Sequence, residues 1–186
     1  KVQFNGLSVK EQPAEVRRQI GVVLHSPMLY GNLTGEENLR FFCRLFDLQD
    51  ADDRIEDVHD AVNLGQRRRD LLRTYTRGMQ QRLSIARAML HNPRFLLMDE
   101  PYTGLDQTSA EGLDLLLTGY ATGGGTVLLA THDLGRIPGV ASRVDMLHQG
   151  KIPFSTPMHE LSPELLAERY REVTEVKPVN SSGGQP

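Results

Sequence analysis

A chain of 186 residues with 39% hydrophobic and 24% charged side chains has the composition of a soluble globular protein of one domain. This composition excludes collagen-like, fully disordered and disulfide-dense proteins, and the single cysteine, Cys43, cannot close an intrachain disulfide. The formal net charge of −3 argues against wholesale electrostatic binding of nucleic acid, so we expect no nucleic-acid partner. No apolar stretch approaches the roughly 20 residues that a membrane-spanning helix needs.

The first predicted elements are a strand and a helix. The β-branched run Ile20–Leu24 predicts a strand, and residues 25–33 predict a loop. Thr34 followed by Glu37 forms a capping box, which marks the start of a helix. Apolar residues at helical spacing give this helix one buried face, made of Leu39, Phe42, Cys43 and Phe46.

Two charged segments follow along the chain. Residues 47–60 are rich in acids and residues 67–94 are rich in arginine, and we expect solvated helix faces that partly neutralise each other. Within the second segment the pattern predicts a helix from Thr76 to about Leu90, which the Asn-Pro pair at 92–93 ends.

The second half alternates strands and helices. Phe95–Met98 and Thr126–Ala130 are continuous apolar runs, with a helix predicted between them over roughly Ser109–Tyr120. This order predicts a parallel sheet that is covered on both faces. A hairpin over residues 144–154 and a last helix that begins after Ser162 complete the prediction.

Two adjacent carboxylates, Asp99 and Glu100, directly follow the central apolar strand. Ligands of open α/β sheets bind at the carboxyl ends of the strands, where these side chains should emerge. Adjacent acids at that point suit phosphoryl transfer, in which one carboxylate holds Mg²⁺ and the next polarises the attacking water. The alternative is that both acids merely cap the next element.

Three further motifs flank the acidic pair. The polar, glycine-bearing turn Tyr75–Met79 opens a helix, and a helix N-terminus can receive a phosphate. Gly104–Asp106 follows the acids, and His132 comes where the next strand ends, so that its imidazole could bind a terminal phosphate. Taken alone, such a histidine is more often an ordinary loop residue.

The four motifs in this order resemble the ATP-binding subunit of ABC transporters, and the resemblance covers Val2 to about Glu168. It implies a P-loop NTPase-like ABC ATPase fold, with a mostly parallel sheet, helices on both faces and a helical signature subdomain. Asp99 is then the Mg²⁺-associated acid of the Walker B strand, Glu100 the catalytic base and His132 the switch histidine at the γ-phosphate. The implied nucleotide-binding residues belong to the signature motif and the D-loop: Tyr75, Thr76, Arg77, Gly78, Met79 and Asp106.

The sequence departs from the family pattern at two motifs. His25 stands where the family has its Q-loop glutamine, and a neutral imidazole is a poorer Mg²⁺ ligand than an amide oxygen. The signature motif reads Tyr-Thr-Arg-Gly-Met, in which Thr76 keeps the hydroxyl and Gly78 keeps the close-approach glycine. Such Arg-Gly-Met variants resemble exporter ATPases of the drug, lipid or haem-export type.

The phosphate-binding P-loop has no match in the printed sequence. Its pattern ends in Gly-Lys-Ser/Thr, and the only Gly-Lys pair, Gly150-Lys151, reads as a hairpin turn. We therefore expect an N-terminally truncated domain. The expected divisions are core before the Q-loop (1–24), helical subdomain (25–92), core with Walker B, D-loop and H-loop (93–172), and a disordered tail (173–186).

The resemblance implies that the intact protein hydrolyses ATP with Mg²⁺ to energise export through a membrane permease. Two ATP-binding subunits, identical or different, would sandwich the nucleotides on the cytoplasmic face of the cell membrane. Two alternatives remain: a degenerate, non-catalytic subunit that lends its signature motif to a partner, and a soluble ABC ATPase of translation or DNA repair.

Overall fold

The computed structural model describes residues 2–174, which fall into two compact units, one up to His132 and the other from Asp133. The predicted tail lies outside the described residues, except for residues 173–174, which are the end of the last helix. The predicted motif-based divisions stay a prediction. None of the helices in this described part of the chain is long and apolar enough to cross a membrane.

The first unit is built on a parallel sheet. Its strands are β3 (Ile20–Val23), β4 (Phe95–Asp99) and β5 (Thr126–Ala130), in the order β3-β4-β5. A small antiparallel hairpin, β1 (Gln3–Phe4) and β2 (Leu7–Ser8), precedes this sheet. The predicted parallel sheet is confirmed, because β4 pairs in parallel with β3 on one side and with β5 on the other.

The first unit has five helices, which pack against strands of the sheet and against one another. They are α1 (Pro13–Arg18), α2 (Gly35–Phe46), α3 (Ala51–Ala61), α4 (Arg77–Met89) and α5 (Gln107–Thr122), with short 3-10 turns at Gly65–Arg67 and Leu72–Thr74. The predicted capping box is confirmed. Glu37 donates its backbone N–H to the Thr34 hydroxyl, while its carboxylate accepts from the Thr34 N–H at 2.7 Å and its pKa is lowered as a result.

Helix α4 packs directly on strand β3. A Cβ atom at Gly21 would lie 2.2 Å from the Ala88 carbonyl oxygen, so only glycine fits there without a shift of the backbone. The Arg87 guanidinium donates to the Val22 carbonyl at 2.6 Å, and His91 Nε2 lies 3.2 Å from the Ile20 carbonyl. Because β3 is an edge strand of its sheet, these side chains occupy carbonyls that an edge would otherwise leave open.

The position of Arg87 corrects the prediction that the arginine-rich segment is a solvated face. Arg87 is buried, its guanidinium lies 5.2 Å from the centre of the Phe42 ring, and desolvation lowers its pKa. Sequence alone gave no sign of this, because the carbonyl that the arginine binds lies 65 residues earlier in the chain.

The predicted burial of both sheet faces is wrong at two positions. Leu97 of β4 is 36% exposed and Leu128 of β5 is 55% exposed, and the two residues pair across the strands. The neighbouring residues Leu96 and Met98, which point to the opposite face, are fully buried. Among residues 2–174 one face of the sheet is therefore packed while apolar side chains of the other face remain accessible.

The second unit consists of a hairpin and helices. The predicted hairpin is confirmed: strands β6 (Arg143–His148) and β7 (Lys151–Pro157) pair antiparallel. The turn between them has positive φ at Gln149 and Gly150. The helices are the short α6 (Ile137–Val140) and the predicted last helix, α7 (Pro163–Thr174), with a 3-10 turn at Met158–Glu160. The core of the second unit contains Val144, Met146, Met158 and Leu166.

The contact between α4 and β3 gives a first prediction. We expect Gly21→Ala to lower the free energy of unfolding by at least about 2 kcal/mol, because its Cβ would overlap backbone rather than a movable side chain. The measurement is urea denaturation. Gly119→Ala is the control: it lies inside α5 with nothing within 4 Å of its Cβ position, and we expect it to stabilise by about 0.5–1 kcal/mol. Equal effects of the two substitutions would contradict the packing argument.

Candidate functional site

The acidic pair lies at the carboxyl end of β4. Asp99 is the last residue of the strand and its side chain is exposed. Glu100 follows with φ of +49°, a left-handed conformation that is uncommon for a residue with a Cβ. Its backbone N–H donates to the Ala130 carbonyl at 2.9 Å, which fixes the turn against the end of β5.

The carboxylate of Glu100 meets the residues that follow β5. Oε1 lies 2.8 Å from Nδ1 of His132, and Oε2 accepts a hydrogen bond of 3.4 Å from the Thr131 hydroxyl. The His132 side chain is 78% exposed, whereas that of Glu100 is 28% exposed. The structure therefore brings together the two side chains that the sequence assigns to catalysis. Such a pair can position an acid-base carboxylate and offer an imidazole to an anion.

A side chain of α4 holds the turn after Glu100 in place. Gln81 is buried, and its Nε2 donates to the Pro101 carbonyl at 3.0 Å. The Glu100 carbonyl in turn accepts from the Thr103 N–H at 3.2 Å. Gln81 was not predicted to be a site residue, because a glutamine near the polar N-terminus of a helix carries no local sequence signal of burial.

The signature turn opens α4 as predicted. Thr76 is the N-cap, and its hydroxyl oxygen accepts from the Met79 N–H at 3.2 Å. Thr76 and Arg77 are exposed, so the start of this 13-residue helix faces solvent. The N-terminus of the helix thus has the exposed N–H groups and the positive end of the helix dipole, which favour an anion.

The remaining signature residues differ in their surroundings. Tyr75 is buried, its hydroxyl donates to the Arg67 carbonyl at 2.7 Å, and burial raises its pKa. Met79 is half-buried and packs against the core. The side chain of Tyr75 therefore points into the protein, and its backbone N–H and carbonyl are bonded to Leu72 and Gln80 of the same chain.

The signature turn also touches the turn that carries the D-loop residues. A Cβ at Gly78 would lie 2.8 Å from the Gly104 carbonyl oxygen, and Gly104 itself has φ of +82°. Asp106 is the N-cap of α5, and the hydrogen bonds that it accepts from Ser109 lower its pKa. In this chain the glycine at position 78 is thus required by an internal contact.

A cavity of about 330 Å³ joins these parts of the site. His25, at the place of the Q-loop glutamine, is exposed and lines the same cavity as Glu100. The start of α4 forms another wall, so the structure brings the predicted residues His25, Arg77 and Glu100 together. The full lining is His25, Pro27, Arg77, Gln80, Gln81, Glu100 and Thr103.

The donor set at the strand end limits how a metal ion could bind. Within residues 2–174 no group of three or more His, Cys, Asp or Glu side chains is arranged to hold a metal ion. The exposed carboxylate of Asp99 can supply one oxygen ligand. This fits Mg²⁺, which usually binds through one or two carboxylates and takes its other ligands from water and substrate phosphates.

The fold and the site define an α/β domain of the P-loop NTPase-like class, with an acidic pair at a strand end and a histidine after the next strand. The family described as ABC transporter matches residues 1–103, and the chain belongs to this family. The predicted ABC ATPase fold is confirmed by the solved structures that it resembles.

Relatives and structures agree on this assignment. The chain is 31% identical to the ABC transporter ATP-binding protein NatA of Bacillus subtilis over 86% of its length, and 30% identical to the bacitracin transport ATP-binding protein BcrA of Enterococcus faecalis over 94%. It spans 66% and 55% of these relatives' own lengths.

Two solved structures have the same fold. An ATP-binding subunit of an ABC transporter superposes with a TM-score of 0.83 at 26% identity, covering 93% of this chain and 75% of that one. A dimeric ATP-binding cassette in a post-hydrolysis state with ADP and Pi superposes with a TM-score of 0.73 at 25% identity, covering 84% and 70%.

The backbone of Glu100 gives a second prediction. We expect Glu100→Gly to raise the free energy of unfolding by up to about 1 kcal/mol. Relief of the left-handed conformation is worth about 1–2 kcal/mol, against about 0.5–1 kcal/mol for the entropy of glycine and about 0–1 kcal/mol for the lost side-chain contacts. Chemical denaturation measures this difference. Asp99→Gly, next to it in extended conformation, should instead destabilise by about 0.5–1 kcal/mol. A loss of stability in both variants would argue against strain at position 100.

Proposed function

We propose that the intact protein hydrolyses ATP and that this hydrolysis drives export through a membrane permease. The observation that carries the proposal is the 2.8 Å contact between Glu100 and His132 at the carboxyl end of β4. The contact lies beside a cavity that the start of α4 also lines. The bacitracin transport protein among the relatives supports an export system.

In the proposed reaction Glu100 acts on the attacking water. Its carboxylate orients the water and accepts a proton as the water oxygen bonds to the γ-phosphorus and the bond to the ADP oxygen breaks. The exposed His132 imidazole hydrogen-bonds the transferring phosphoryl group, and the Thr131 hydroxyl holds the second carboxylate oxygen of Glu100. Asp99 would hold Mg²⁺ as one of its ligands, and the bound ion would neutralise charge on the phosphates.

We infer that two subunits act together, identical or different. Thr76 and Arg77 are exposed at the start of α4, where a nucleotide held by a second subunit could reach the helix N-terminus. The dimeric cassette with ADP and Pi is the structural support for this arrangement. In the proposed dimer of this protein, Thr76 and Gly78 of one subunit would cover the nucleotide of the other subunit, while Glu100 acts on the nucleotide bound to its own subunit.

The permease contact is proposed for the loop after β3 together with α2. Met28 and Tyr30 of the loop and Phe41 and Leu45 of α2 are exposed apolar side chains, and the rings of Tyr30 and Phe41 lie 5.2 Å apart. The buried Asn38 holds this surface in place, because it accepts from the Tyr30 N–H at 2.7 Å and donates to the Tyr30 carbonyl. A peripheral location on the cytoplasmic face of the cell membrane follows from this proposal.

The phosphate-cradling loop is proposed to come from chain outside the printed sequence. In support, Leu97 and Leu128 expose an apolar sheet face, and β5 has one strand neighbour among the described residues. A further strand and helix would cover that face and edge. The printed chain by itself contains no Gly-x-x-x-x-Gly-Lys-Ser/Thr sequence, so we predict that it does not hydrolyse ATP.

The test uses the complete protein with its permease. We expect Glu100→Gln to keep ATP binding and to lower kcat at least about 100-fold, because the amide cannot accept the proton of the attacking water. Steady-state hydrolysis and nucleotide binding measure the two effects. Glu111→Gln, the same change on an exposed face of α5, should leave kcat unchanged.

Two results would contradict the proposal. One is hydrolysis by Glu100→Gln at the wild-type rate, which would exclude this carboxylate from the reaction. The other is a complete wild-type protein that binds ATP without hydrolysing it, which would favour the non-catalytic subunit.

A further inference from the structure

The conformation of Glu100 needs support from outside its own strand. With φ of +49° the residue occupies a region that a side chain disfavours, so the turn must be held by its neighbours. Its N–H is held by the Ala130 carbonyl and its own carbonyl by the Thr103 N–H. The second bond holds the peptide plane directly after Glu100 from within the same turn, and the carbonyl of the next plane, that of Pro101, has a partner from another element.

That partner is Gln81, in the second turn of α4. Its side chain is only 8% exposed, and its Nε2 donates to the Pro101 carbonyl at 3.0 Å across a separation of 20 residues. The carbonyl belongs to the residue directly after Glu100. A hydrogen bond at that point fixes the position of Pro101 and so restrains the rotation that would carry Glu100 to the extended region, which a residue before proline prefers.

We propose that Gln81 is a positioning residue that holds Glu100 in its left-handed conformation and so aims its carboxylate at His132. The proposal rests on the hydrolytic function proposed above. Gln81 acts on Glu100 through its hydrogen bond to the Pro101 carbonyl.

A second contact ties the same turn to α4. Gly78, one turn before Gln81, packs against the Gly104 carbonyl at a distance that admits no Cβ. Helix α4 therefore holds the segment from Pro101 to Gly104 at both of its ends. Further along, the same helix is fixed on β3 by the Gly21 contact and by the Arg87 hydrogen bond.

This arrangement connects two functions within one chain. A ligand that moves or stiffens the exposed start of α4 also acts on the turn that sets the Glu100 carboxylate. Binding at the signature turn and hydrolysis at Glu100 are thereby coupled through Gln81, with no change needed in the sheet.

The first experiment compares crystal structures and kinetics of the complete protein carrying Gln81→Met. This side chain fills a similar volume without a donor, so we expect Glu100 to leave φ of +49° or its carboxylate to leave His132. We expect kcat to fall about 10–100-fold with KM within about twofold, since a misplacement of about 1 Å costs about 100-fold.

The matched control is Tyr120→Phe. The Tyr120 hydroxyl donates to the Pro93 carbonyl at 2.8 Å, which is also a side-chain bond to a proline carbonyl, but at the other end of β4. This variant should retain the wild-type kcat and the wild-type Glu100 geometry. A similar loss of kcat in both variants would overturn the positioning role and indicate general destabilisation.

Gln81→Glu provides a second readout. The ionised form of the new carboxyl group repels the Pro101 carbonyl, whereas its protonated form donates a hydrogen bond to that carbonyl. Burial raises the pKa of the new carboxyl group. The other ionisable groups lining the same cavity, His25, Arg77 and Glu100, are common to all variants. The ratio of its kcat to that of wild type should rise as the pH falls, whereas the ratio for Gln81→Met should stay flat.

The two proposals fail separately. If wild type does not hydrolyse ATP, the proposed function fails, and the Glu100 geometry in the Gln81→Met crystal still decides the positioning role. If wild type is active and Gln81→Met keeps both the wild-type kcat and the wild-type Glu100 geometry, the positioning role is wrong while the function stands.

Discussion

Helix α4 lies so close to strand β3 that a hydrogen atom is the only side chain that fits at position 21. The contact sets the distance between helix and sheet, and the rest of the first unit follows from it. With the helix at this distance, Arg87 and His91 reach the outer carbonyls of β3, and the aliphatic side chains between them are buried. Desolvation of the Arg87 guanidinium, which lowers its pKa, is the cost of closing this edge.

The same helix connects the packing to the chemistry. Its exposed N-terminus carries the signature turn, its second turn holds the backbone after Glu100, and its last turns are fixed on the sheet. The catalytic candidates Glu100 and His132 come from the ends of adjacent parallel strands, where the register brings Asp99 and Ala130 side by side. The left-handed conformation of Glu100 is therefore held by the sheet on one side and by α4 on the other.

Features with a local cause could be predicted from the sequence. Thr34 and Glu37 form a capping box within four residues, β4 and β5 are apolar runs, and the acidic pair must emerge where its strand ends. The order of the motifs was enough to predict the fold and to predict that Glu100 and His132 belong to one site.

The remaining features depend on contacts between distant residues. Gln81 and Arg87 look like surface residues of a polar helix, and their backbone partners lie 20 and 65 residues away. Tyr75 could not be told apart from its exposed neighbours, because the Arg67 carbonyl that accepts its hydroxyl has no sequence signature. Exposure of Leu128 depends on which elements cover the sheet, and an apolar strand pattern does not report that.

We expect Glu100, held by α4, to face the γ-phosphate of ATP. A crystal structure of the complete protein with Mg²⁺ and a non-hydrolysable ATP analogue is the most direct measurement of this arrangement. It should show Glu100 at positive φ, its carboxylate within hydrogen-bond distance of a water that faces the γ-phosphorus, and the Gln81 bond to Pro101 intact. A γ-phosphate bound away from both Glu100 and His132, or a Glu100 at negative φ in a fully nucleotide-bound structure, would contradict this arrangement.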